Sequence, residues 1–147
     1  AEHDTTAAIV QAVSIPDIAN GDVRDASDAR RVLGHTGAAG VMVGRAAQGN
    51  PWVFREIVAA LAARPVPPPP TETEIHDTLI AQLAGLHALY GEYRGVRIAR
   101  KHIAWYCRGL RNATRFREAA NRVEDAAAQL DLVSSFFERP ERFAVAA

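Results

Sequence analysis

Two short stretches carry side chains suited to holding a ligand. Asn20-Gly21-Asp22 follows the apolar run Ile15-Pro16-Asp17-Ile18-Ala19, and Gly44-Arg45 follows Gly40-Val41-Met42-Val43. Asn20 offers a donor and an acceptor, Gly21 lets a backbone approach closely, and Asp22 accepts hydrogen bonds. Such a trio suits a planar heterocycle or a phosphorylated group. Gly44 exposes its backbone, and Arg45 can grip a phosphate with two parallel N–H donors. Taken singly, each pattern is equally a turn with a surface arginine. Their spacing across one βαβ unit favours a phosphate site.

Both motifs need strands to position them. In a parallel α/β sheet the carboxyl ends of the strands present small and polar residues to ligands. The spacing predicts a helix over residues 5–13 with Ala8, Ile9, Ala12 and Val13 inward, then a first strand ending at Ile18-Ala19. A second helix is expected over 25–33, capped by Asp25 or Ser27 and stopped by Gly34 and Gly37. Val41-Met42-Val43 reads as a buried strand, and Asn50 as the cap of a helix over 52–63 with Pro51 at its first position. Two strands cannot close or pair a parallel sheet. A (β/α)8 barrel takes roughly 250 residues, and the chain opens at Ala1-Glu2-His3 without an initiator methionine. The chain is therefore expected to be the C-terminal portion of a larger protein whose first half is missing.

The tract 65–70, Pro65-Val66-Pro67-Pro68-Pro69-Pro70, cannot continue a helix and favours a stiff spacer. Beyond it, Thr71 and Glu74 form a capping box. Ile75, Leu79, Leu83, Leu86 and Tyr90 then recur on one helical face until Gly91, and Val96, Ala99, Ile103, Tyr106 and Leu110 form a second stripe, stopped by Gly109. Asn121 with Glu124 is expected to cap a last helix with Val123, Ala127, Leu130, Val133 and Phe137 inward. Residues 71–147 read as a small all-α bundle.

Seventeen basic and seventeen acidic residues in 147 cancel, but unevenly: residues 91–122 hold nine basic against two acidic side chains, an excess of seven. That concentration points to a polyanionic partner. Arg94, Arg97, Lys101 and Arg108 fall at helical spacings beside the second apolar stripe, so one helix can carry both faces. Arg100 lies nearer the apolar side; His102 and Trp105 could stack on nucleotides or pack. Arg111, Arg115, Arg117 and Arg122 extend the patch.

Other chemistries are disfavoured. The five histidines show no metal-ligand spacing, no serine sits in a nucleophile elbow, and no GxGxxG loop occurs. One cysteine excludes an internal disulfide and fits a reducing compartment, and no apolar run reaches the roughly 20 residues of a membrane span. A cytoplasmic location is expected.

The stretches IANGDV, TGAAGVMVGRAAQGNPWVFREI and YGEYRGVRIARKHIAWY, in that order, resemble the C-terminal half of bacterial tRNA-dihydrouridine synthases, closest to the B type, over about residues 1–137. The resemblance implies an FMN-binding (β/α)8 TIM barrel, of which residues 1–64 would be the C-terminal part with its last two strands, followed by a helical tRNA-binding domain over residues 71–147. The family uses NADPH to reduce its flavin and then the C5–C6 double bond of selected uridines in tRNA. By motif match Asn20, Gly21, Asp22, Gly44 and Arg45 correspond to cofactor-binding positions, and Arg94, Arg97, Arg100, Lys101, His102 and Arg108 fall in the RNA-binding region. The family's catalytic cysteine lies in an Asn-x-Gly-Cys-Pro motif that this sequence lacks, and Cys107 is not its equivalent. No catalytic residue is assigned here, and the piece alone is expected to be inactive. Asp17 stands where the family carries an aliphatic residue. No metal and no membrane are implied, and the full-length protein is expected to be a monomer. The alternatives are a stand-alone helical RNA-binding module without redox activity and an FMN barrel acting on small molecules.

Overall fold

The computed structural model describes residues 2–144, which fall into two compact units, Ala1–Pro69 and Pro70–Ala147.

The first unit runs α1 (His3–Ala12), β1 (Ile18–Asn20), α2 (Ala26–Thr36), β2 (Gly40–Met42), a 3-10 turn at Arg45–Ala47, and α3 (Val53–Leu61). The strands pair in parallel, with Ile18 opposite Gly40, Ala19 opposite Val41, and Asn20 opposite Met42. Alternation along them divides the sheet into two faces. Ala19, Val41 and Val43 join Val23, Ala29, Val32, Ala38, Val53 and Ile57 in one apolar core, whereas Ile18 and Met42 on the other face are each 54% exposed. The second strand is therefore not buried on both faces as its composition suggested. α2 starts where Asp25 accepts from the Asp28 N–H and ends at Gly37, whose φ of 69° is left-handed. Gly34 does not stop it, since that position faces solvent and meets nothing within 4 Å.

Two other expectations shift. In α1 the half-buried Val10 packs against the core, while Ala8 and Ala12 are exposed and Ile9 and Val13 are 47% and 41% exposed. α3 begins at Val53 without the Asn50 side-chain cap; Asn50 instead accepts from the Val53 N–H through its carbonyl, in a turn that precedes the helix. Asp17 is only half-buried and precedes β1, its carbonyl accepting from the Ala39 N–H, so no carboxylate is buried inside the strand.

The second unit comprises α4 (Glu72–Tyr106), α5 (Ala113–Arg122), α6 (Ala126–Glu138) and a 3-10 turn at Pro140–Phe143. The Thr71–Glu74 capping box forms in full. α4 is broken at Gly91, with φ 72° and ψ 166°, and its halves fold back as a hairpin. A Cβ on Gly95 would stand 2.8 Å from the His87 Cα, so this glycine lets the two halves touch backbone to backbone. Farther from the tip, the Gln82 side chain bridges to His102 Nδ1 at 2.6 Å and accepts from the Tyr106 hydroxyl at 2.8 Å. Leu79, Leu83, Val96, Ala99, Ile103 and Tyr106 are buried as the stripes required, while Tyr90 lies outside the core.

α5 was not anticipated, although Ala113, Phe116 and Ala120 give it a buried face. Phe116 stacks on Phe136 at 4.1 Å between centroids. α6 is capped by Asp125, which accepts from Ala128, and not by Asn121 with Glu124. Its buried residues are Gln129, Val133 and Phe136; Ala127 is exposed.

Candidate functional site

Asn20, Gly21, Asp22, Gly44 and Arg45 all line one open cleft of about 620 Å³, together with Val23, Arg24, Met42 and Ala46. The parallel register explains the convergence. Asn20 and Met42 are partners at the carboxyl ends of β1 and β2, so the loops leaving both strands emerge on the same edge. The chain turns sharply after β1, with φ of 125° at Gly21 and 52° at Asp22, the first a conformation that side chains rarely adopt. Gly44 initiates the turn at 45–47, and a Cβ there would stand in open space, so nothing bars a ligand from its backbone. The Arg45 side chain is 88% exposed, and its Nη2 lies 3.4 Å from Asp22 Oδ1. The cleft thus combines an exposed cation, a carboxylate, an amide and accessible backbone.

Arg24, which sequence reasoning did not single out, adds a second guanidinium to this cleft. Its Nε donates to Asp28 Oδ2 at 2.9 Å, and Arg31 Nη2 donates to Asp28 Oδ1 at 2.5 Å. The two arginines hold the Asp28 carboxyl far below the usual carboxylate range, against the opposing cost of its burial.

In the second unit, Arg94, Arg97 and Lys101 lie at one-face spacing on the second half of α4, with Arg94 and Lys101 exposed; Arg108 is exposed in the turn beyond it. Arg100 and His102 do not join this face. Arg100 Nη2 donates to the Val123 carbonyl at 2.9 Å and ties α4 to the α5–α6 connection. His102 bonds Gln82 and meets Trp105 edge to face at 5.0 Å, and burial lowers its pKa. Arg115 is likewise engaged, donating to the Ala144 carbonyl at 2.8 Å. Cys107 is fully buried and its thiol is pushed up to about 12 by desolvation, which leaves it protonated and unreactive. Among the described residues no cluster of His, Cys, Asp or Glu could hold a metal ion, and no helix is long and apolar enough to cross a membrane.

A polar cleft at the carboxyl ends of parallel strands is the arrangement of ligand-binding α/β proteins. The family model for dihydrouridine synthases (Dus) matches residues 1–141, and the chain belongs to that family. It is similar to the tRNA-dihydrouridine synthase B of Pseudomonas syringae pv. tomato, with 50% identity over 137 residues, 93% of this chain and 41% of the relative. The synthase B of Xanthomonas axonopodis pv. citri is 47% identical over 138 residues, covering 94% of this chain and 42% of the relative. That of Escherichia coli K12 is 46% identical, covering 94% and 43%. The resemblance to the B type is thus borne out, and the chain spans about two fifths of the length of these relatives.

Proposed function

We propose that this chain is a C-terminal portion of a tRNA-dihydrouridine synthase, an oxidoreductase that reduces uridine C5=C6 in tRNA at the expense of NADPH. In this reading the first unit belongs to a (β/α)8 barrel whose other strands would cover the sheet face carrying Ile18 and Met42. The observation that carries the proposal is the convergence of Asn20, Gly21, Asp22, Gly44 and Arg45 on one cleft.

The cleft suits the phosphate end of FMN. Gly44 places no side chain between its backbone and the opening, and Arg45 is exposed beside it. Arg45 and the Gly44 backbone would hold the phosphate, with Asn20 and Asp22 offering hydrogen bonds to the rest of the cofactor. Bound FMN would supply hydride chemistry, which no side chain can perform. The residues of this chain bind and orient: Asp22 keeps Arg45 at the cleft through its ion pair, and the Gly21 turn keeps the backbone low. No proton donor to the base is assigned here. The piece alone should not turn over, since the Asn-x-Gly-Cys-Pro motif is absent from it.

The second unit supplies an RNA-binding face made of Arg94, Arg97, Lys101 and Arg108, where phosphate contacts would release counterions. Arg100 and His102 serve this face as scaffold, fixing α4 against its neighbours. The family match runs through both units, which supports an enzyme portion over a stand-alone RNA-binding module. A bacterial synthase location in the cytoplasm, where tRNA is found, follows from the same reading.

The test is flavin retention in a chimera joining this chain to the N-terminal part of the Pseudomonas relative. The proposal expects bound FMN, with Arg45→Ala weakening it about tenfold or more, as for a lost charge-assisted hydrogen bond. Equal FMN affinity in the variant would overturn the assignment of Arg45.

A further inference from the structure

We infer that the tip of the α4 hairpin is a stacking platform for an unpaired nucleotide of RNA, formed by Tyr93 and Arg97. This rests on the RNA-binding reading of the second unit and specifies what feature of RNA it takes. The Arg97 guanidinium carbon lies 3.7 Å from the centroid of the Tyr93 ring, and Nη1 donates to the Tyr93 carbonyl at 3.0 Å. The hydrogen bond fixes the cation against the ring, so the pair is ordered before any ligand arrives and binding loses less side-chain entropy. Yet Tyr93 remains 69% exposed, far more than a core aromatic. With Arg97 on one side, that exposure leaves the remaining ring surface open to solvent.

The surroundings select a polyanion. Arg94 is exposed next to Tyr93, Lys101 follows one turn after Arg97, and residues 91–122 carry an excess of seven positive charges. Glu92, the acidic residue nearest this pair, is engaged elsewhere: its Oε1 accepts from the Ala126 N–H at 3.0 Å. A cation-backed ring among phosphate-binding side chains is the combination that takes a base face together with its backbone. A duplex hides its base faces in the stack, so an isolated ring on a helix tip can reach only a nucleotide that is already unstacked. His102 and Trp105, the stacking candidates by residue type, face each other and Gln82 instead.

The experiment compares the full chain with Tyr93→Ala, Tyr93→Phe and Arg94→Ala in fluorescence-anisotropy titrations. The probes are a single-stranded RNA oligonucleotide and a duplex RNA of equal phosphate count, at two salt concentrations. Circular dichroism of each variant checks that the bundle is folded. The platform predicts that Tyr93→Ala weakens single-strand binding about tenfold with the salt dependence retained, that Tyr93→Phe binds as the parent, and that duplex binding is unchanged. Arg94→Ala should weaken both probes and reduce the salt slope. If Tyr93→Ala binds the single strand as the parent does, or loses single strand and duplex alike, the platform is wrong while the basic face stands. If the folded chain binds neither probe in a salt-dependent way, the RNA-binding reading fails and the platform with it.

Discussion

Arg45 and Asp22 are separated by 23 residues of sequence, and their side chains meet at 3.4 Å across the mouth of one cleft. The pairing follows from the parallel register of β1 and β2, which brings the ends of both strands to the same edge of the sheet. It also gives the cation a resting partner that an anionic ligand could displace.

Acid should act on the α2 end of the first unit through Asp28. Its carboxyl is held far below the ordinary value by Arg24 first and Arg31 next, so the folded state resists protonating it. The corresponding stability is fully present above the unfolded pKa of about 3.9 and is lost as pH falls through the folded value. Asp28→Asn should therefore lower the melting temperature at neutral pH and flatten its dependence below about pH 4, as thermal melts by circular dichroism would register. An unchanged acid limb in the variant would contradict the assignment.

His102 stays neutral where Asp28 stays charged, yet both lose stability as pH falls. Burial lowers its pKa from about 6.5, so the folded chain resists the proton that the unfolded chain accepts. Its contribution is fully present above about pH 6.5 and declines as pH falls towards the folded value. An NMR titration should give the His102 ring a midpoint below the ordinary imidazole value of about 6.5. His102→Gln should remove part of the stability lost as pH falls below about 6.5.

Gly95 marks where the two halves of α4 touch. A Cβ there would meet His87 Cα at 2.8 Å and the Leu86 carbonyl oxygen at 2.9 Å, both backbone atoms that cannot rotate away. Gly95→Ala should destabilise the second unit by about 1–3 kcal/mol despite the better helix propensity of alanine. Gly85→Ala, with nothing within 4 Å, should be neutral or stabilising. Chemical denaturation of both variants separates packing from propensity.

Local rules in this sequence were read well where one short-range interaction decides the outcome. The Thr71–Glu74 box and the break at Gly91 each depend on a few neighbouring residues, as do Asp25, which caps α2 rather than the alternative Ser27, and Gly37, which ends it rather than Gly34. Readings failed where packing chose between similar local options. Asn121 and Asp125 are both competent caps, and the burial of Val133 and Phe136 sets a helix phase that starts at Asp125. α1 turns Val10 inward while Ile9 stays exposed, a choice between neighbouring apolar positions that periodicity alone did not make. Gln129 was invisible as a core residue because a buried amide is tolerable only with partners, and those come from distant segments: His87 Nε2 at 2.9 Å and the Val96 carbonyl at 3.1 Å.

The cleft residues were legible because glycine, asparagine and arginine at strand ends have few purposes. The basic face of the second unit was legible only as charge. Carbonyls distant in sequence hold Arg100 and Arg115, whereas Arg97 is held by the Tyr93 carbonyl on its own face, and no spacing rule predicts the distant pairs.

The most direct test of the account is dihydrouridine formation by the chimera of this chain with the N-terminal part of the Pseudomonas relative. The assay expresses it in a bacterial strain lacking its own synthases and reads purified tRNA by mass spectrometry. The account predicts that each modified uridine gains two mass units, about 2 Da for one added H2, and that Arg45→Ala and Lys101→Ala each reduce the yield. A folded, flavin-loaded chimera that leaves tRNA unmodified would contradict it.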